Sequence, residues 1–161
     1  MKSMENVIQS GMLASIVTMT ISGGYNYNWT STQQEDLSKV TFPHANLYLM
    51  PQEDTMDGIS FPNMNAFRNK QSYELRCFNK LETESATSSF EIDSTLNYML
   101  HDIKKWVGSN PVPDYIEMIE YIRSVRKPLN GTSDIMLPKY LIVTLNVYYN
   151  QDRKYPDVIA C

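Results

Sequence analysis

Near its C-terminus the chain carries YLIVTLNVYY, residues 140–149. Leu141, Val143, Leu145, Val147 and Tyr149 fall on one face; Tyr140, Ile142, Thr144, Asn146 and Tyr148 fall on the other. A period of two predicts a strand with one wholly apolar face. SYELRCFNKLETE, residues 72–84, alternates similarly, with Tyr73, Leu75 and Cys77 opposite Glu74, Arg76 and Phe78. VTFPHANLYLMP, residues 40–51, predicts another strand, with Ala45, Leu47 and Leu49 sharing a face. Pro43 has no N–H to give a ladder, so it belongs at the start or on an edge. In YNYNWTST, residues 25–32, Tyr25, Tyr27 and Trp29 alternate with asparagines and predict one more strand.

Helical spacing appears twice. Val7, Ile8, Met12, Ile16 and Met19 step by three and four, and Gly23-Gly24 predicts the stop. Ser88-Ser-Phe-Glu91 matches a capping box, followed by the stripe Ile92, Leu96, Met99, Ile103, Trp106 and Val107. Glu91 and Asp93 suit the positive end of that helix and Lys104 and Lys105 its negative end, with Gly108 as cap. At about 1.5 Å per residue it spans roughly 27 Å, enough to cross a small sheet. His101 falls opposite the stripe, beside Asp102, in a solvated position.

Residues 114–127, DYIEMIEYIRSVRK, fit a helix through Tyr115, Ile119 and Ile122, or a strand through Ile116, Met118 and Ile122. Periodicity leaves the two open. Residues 51–71 predict a long irregular loop broken by prolines, a glycine and Asn/Asp. It carries Ile59, Phe61, Met64 and Phe67, and apolar side chains on a long loop mark a candidate docking element. Asn130-Gly131 marks a turn. The pattern predicts a single α+β domain over residues 1–161, with a C-terminal tail at 154–161. Its antiparallel or mixed β-sheet has about four to five strands, with two α-helices packed on one face.

Composition narrows the function classes. The chain has 161 residues, 42% hydrophobic and 20% charged, as in a one-domain globular protein. Its net charge of −4, with no basic stripe, argues against a dedicated nucleic-acid binder. Cys77 reads as a buried apolar residue, and Cys77 and Cys161 form neither a disulfide framework nor a metal site. This suits a reducing compartment or a cytoplasmic assembly site. Glu5, Asn6, Gln9 and Ser10 interrupt the N-terminal apolar run, and no cleavage motif follows, so no export signal is expected. The sequons at Asn28 and Asn130 then carry no sugar. No stretch approaches the roughly 20 apolar residues of a membrane-spanning helix.

Catalytic patterns are missing. His44 has no Cys, Asp or Glu at ligand spacing. Glu53-Asp54 and Asp57 lack the alternation of a calcium loop, and Ser22-Gly-Gly24 lacks the lysine of a phosphate loop. No G-x-S-x-G, H-E-x-x-H or C-x-x-C occurs. No catalytic, cofactor or metal residues and no enzyme activity are expected. Ten methionines, among them Met4, Met12, Met19 and Met99, suit core gap-filling or an adaptable contact face. Eleven tyrosines suit both strand packing and an interface.

The order of elements carries a resemblance. A helix ends at Gly24-Tyr25, a proline-led strand FPHANLYL follows at 42–49, then SYELRCF at 72–78, a long helix at 90–107, and YLIVTLNVYYNQDR at 140–153. Together they resemble the tail terminator, or tail completion, proteins of long-tailed bacteriophages. The resemblance implies a structural virion protein forming a hexameric ring that caps the tail tube. Its partners would be copies of itself, the tail tube protein and the head completion (connector) protein. DNA would pass through the lumen without specific binding, no membrane would be involved, and assembly would take place in the host cytoplasm. The resemblance also implies that 114–127 is a strand in a hairpin with 140–149. Loop 51–71 would be the docking element. Another connector or baseplate subunit, or a small ligand-binding α+β domain, are the alternatives.

Overall fold

The computed structural model describes residues 4–31, 41–50, 66–79, 89–109, 116–128 and 139–152. Two helices occur among them, α1 (Met4–Ile16) and α2 (Ser89–Ser109), with a short 3-10 turn at Ile21–Gly23. The strands are β1 (Thr30–Ser31), β2 (His44–Leu49), β3 (Ala66–Phe78), β4 (Ile116–Pro128) and β5 (Lys139–Asp152). They form one five-stranded sheet in the order β1-β2-β3-β5-β4. β1 runs parallel to β2 and the remaining pairs are antiparallel, so this is an α+β fold with a mixed sheet.

β5 lies between the two other long strands and supplies the inner layer. Leu141, Val143, Leu145 and Val147 are fully buried, as their alternation predicted. They join Tyr73, Leu75 and Cys77 of β3, Ile8, Met12 and Ile16 of α1, and Leu96, Met99, Ile103 and Trp106 of α2 in one apolar cluster. The Trp106 indole N–H donates to Ser15 Oγ at 3.0 Å, so the largest fully buried side chain also fixes α2 to α1. Burial pushes the Cys77 thiol well above its ordinary range, which keeps it a neutral apolar filler.

The described part of segment 114–127, from Ile116 onward, is β4, antiparallel to β5. Register shifts between Ile116 and Met118 and between Tyr121 and Arg123 explain its ambiguous pattern. Each bulge adds a residue, so Ile116, Ile119, Tyr121 and Ser124 share the core-facing register at steps of three, two and three. Those steps mimic a helix in a sequence that is strand.

Other expectations need correction. Residues 66–71 are not loop: they extend β3, because β5 is long enough to pair them from Val147 to Asp152. Residues 51–65 and 154–161 lie outside the described residues. Of the described residues of YNYNWTST, Thr30–Ser31 alone are strand. α1 ends at Ile16 and not at Gly23-Gly24. The Thr18 hydroxyl donates to the Ser15 carbonyl at 2.6 Å, competing with the next helical turn. Gly24, at φ 87°, closes the 3-10 turn in the left-handed region that glycine tolerates best. Gly108 lies within α2, which runs on to Ser109.

Leu145→Ala should lower unfolding free energy in urea by about 2–5 kcal/mol. Val17→Thr, at an exposed position just after α1, should change it by no more than about 0.5 kcal/mol.

Candidate interaction surface

Two buried polar clusters hold the sheet's first strands in place. Asp102 lies three residues after Met99 and four before Trp106, on the inward stripe of α2, and its side chain is fully buried. Oδ1 accepts from the Asn26 backbone N–H and side-chain amide, both at 2.9 Å. Oδ2 accepts from the N–H groups of Asn26 at 3.1 Å and Tyr27 at 3.2 Å and from the Trp29 indole at 3.0 Å. Backbone donors that a strand would spend on a neighbour go to a carboxylate instead, so Tyr25–Trp29 alternate without being a strand. Burial, followed by the Asp102 charge, raises the pKa of the Tyr27 hydroxyl. Lys105 Nζ donates to the Gly24 carbonyl at 2.6 Å and sits 4.9 Å from the centre of the Tyr25 ring. His101 keeps the solvated position expected of it, with its side chain 68% exposed.

His44 starts β2 and is fully buried. Nδ1 lies 2.7 Å from Thr30 Oγ1 of β1, and Nε2 lies 3.0 Å from Asn46 Oδ1. Burial lowers its pKa, and the bond to Asn46 offsets part of that. The ring is a neutral tie between β1 and β2. Among the described residues no group of three His, Cys, Asp or Glu is placed to hold a metal ion.

The sheet face away from the apolar cluster is interlocked. Phe78 stacks on Tyr140 with ring centres 5.1 Å apart. Arg76 lies 4.4 Å over the Tyr48 ring and donates to Glu74 at 2.6 Å. The Tyr148 hydroxyl and the Asn146 amide donate to Glu120 Oε2 at 2.9 and 3.3 Å, and the Ser72 hydroxyl donates to Asn146. These bonds run across β3, β5 and β4 and stiffen the face.

The two borders of the sheet differ. β1 has two residues, and Ser31 Oγ donates to the Leu13 carbonyl of α1 at 2.8 Å. β4 has 13 residues, and among the described residues no strand pairs with its outer side. Met118, Ile122 and Val125 along it are 41%, 43% and 44% exposed. An edge this long with apolar side chains is a site for pairing with another chain. Of the sequence-predicted docking residues, Ile59, Phe61 and Met64 lie outside the described residues. Phe67 belongs to β3, opposite Gln151 of β5. Sequence reasoning did not single out β4, although its apolar residues exceed what one buried face needs. Among the described residues no helix is long and apolar enough to cross a membrane.

Asp102→Ala strands four donors and should cost about 3 kcal/mol of stability, with a red-shifted Trp29 emission. A loss under about 1 kcal/mol would show that water replaces the carboxylate at little cost. The lowered pKa of His44 means the unfolded chain binds its proton first as pH falls. Stability from this residue is complete above 6.5 and declines as pH drops from there toward the folded-state pKa. His44→Gln should flatten that part of the stability–pH curve measured by urea titration.

No family model matches the sequence, and no curated protein matches it significantly.

Proposed function

We propose that this chain is a structural assembly subunit that acts by mating its sheet border with other chains, in the manner of a phage tail terminator. The observation that carries the reading is β4: a long border strand with exposed Met118, Ile122 and Val125. The β4–β5 hairpin, which the resemblance implied, lends support. A ring capping a tail tube needs each subunit to offer different surfaces to its two neighbours. β4 offers one through strand addition. The stiff aromatic and polar face behind it offers a second that keeps its shape on contact. A net charge of −4 supplies little phosphate affinity, which suits a lumen through which DNA slides. In this reading the protein resides at the head-proximal end of the tail.

Electron microscopy of the purified chain with isolated tail tubes tests it. The expected image is a ring of about six copies on one end of each tube. Tubes left bare at saturating protein would contradict it.

A further inference from the structure

The sequence of β4 is polar along its length. Glu117 and Glu120 occupy its first half, and Arg123, Arg126 and Lys127 its second. Parallel pairing of two such strands in register sets like charge against like, which destabilises a sheet. Antiparallel pairing sets acid against base.

The faces agree with the charges. Met118, Glu120, Arg123 and Val125 pair with Tyr148, Asn146, Thr144 and Ile142 of β5, and so lie on the sheet face away from the apolar cluster. Ile119 and Ser124 pair with Val147 and Val143, on the core-facing side. One antiparallel register between two copies satisfies these six positions at once. Met118 meets Val125 of the second copy, Glu120 meets Arg123, and Ile119 meets Ser124, each residue facing one of its own side of the sheet. The irregularity between Tyr121 and Arg123 falls on the two-fold axis. It therefore separates two identical short ladders and does not cut through either. The bonds from Tyr148 and Asn146 both use Glu120 Oε2. A carboxylate accepts about four bonds, so an arginine can be added.

We propose that β4 is a self-recognition surface: free chains pair antiparallel through β4 across a two-fold axis, joining two five-stranded sheets into one. The occupant is a second copy because the charge order of β4 complements itself. A two-fold contact closes at two copies and has no place in a polar ring. The pair is thus the form of the chain away from a tail tube, covering the border until a partner opens it. The pairing itself stands on the charge order and register of β4; only its opening at a tail tube rests on the ring reading.

Sedimentation equilibrium of the full chain tests the pairing, with circular dichroism as the check on folding. The wild-type chain should dimerise. Arg123→Glu and Glu120→Arg should each weaken the dimer by about tenfold or more, because the contact occurs twice. The double variant Glu120→Arg/Arg123→Glu should return to within about threefold of wild type, since the pair is restored with its sign reversed. If Glu120→Arg fails to fold, Val125→Lys, set against Met118 of the second copy, carries the test and should also weaken the dimer. A wild-type chain monomeric at every concentration would overturn the proposal, as would a double variant no tighter than the single ones. Monomers that still cap tubes would leave the ring reading standing without the pair. Dimers that never cap tubes would do the reverse.

Discussion

A strand has two rows of backbone donors and acceptors, and a strand at the border of a sheet fills only one from within. Here β5 sits between β3 and β4, so the long strands stack on one another and one of them ends up outermost. The short β1 closes the other side and is tied to α1 through Ser31. Among the described residues the sheet therefore has one small, tethered border and one long one. The account of its action rests on that asymmetry.

Interior bonding keeps the asymmetry stable. Asp102 is a buried charge, tolerable only because protein donors fill its oxygens. By gathering Asn26, Tyr27 and Trp29 it stops this stretch from extending β1 into a longer strand. His44 then fixes the short β1 to β2 through Thr30. On the far face, Glu120 holds β4 to β5 through Tyr148 and Asn146. The same carboxylate thus fastens the border strand and carries part of its charge pattern.

Much of the fold was legible where one period ran without interruption. β5 and the stripe of α2 kept strict spacing: Leu141, Val143, Leu145 and Val147, with Leu96, Met99, Ile103 and Trp106, are buried as predicted, and Val107 is half-buried. The errors have local causes. Tyr25, Tyr27 and Trp29 alternate because their rings pack inward, yet their backbone N–H groups go to Thr20, Asp102 and Met19 and not to a neighbouring strand. The sign of this was present: Asp102 occupies an inward helical position between Met99 and Trp106, where an unpaired acid is costly. β4 defied periodicity because its bulges shift the register twice. The candidate site was the least legible part. Apolar loop residues drew attention to 59–67, whereas the border depends on strand order, which no single segment encodes.

Hydrogen–deuterium exchange along β4 bears most directly on the claim that this border awaits another chain. In dilute solution the outward amides between Met118 and Arg126 should exchange quickly, and they should become protected as concentration rises or tail tubes are added. Full protection at every dilution would mean that the chain covers its own border, and the account would fail.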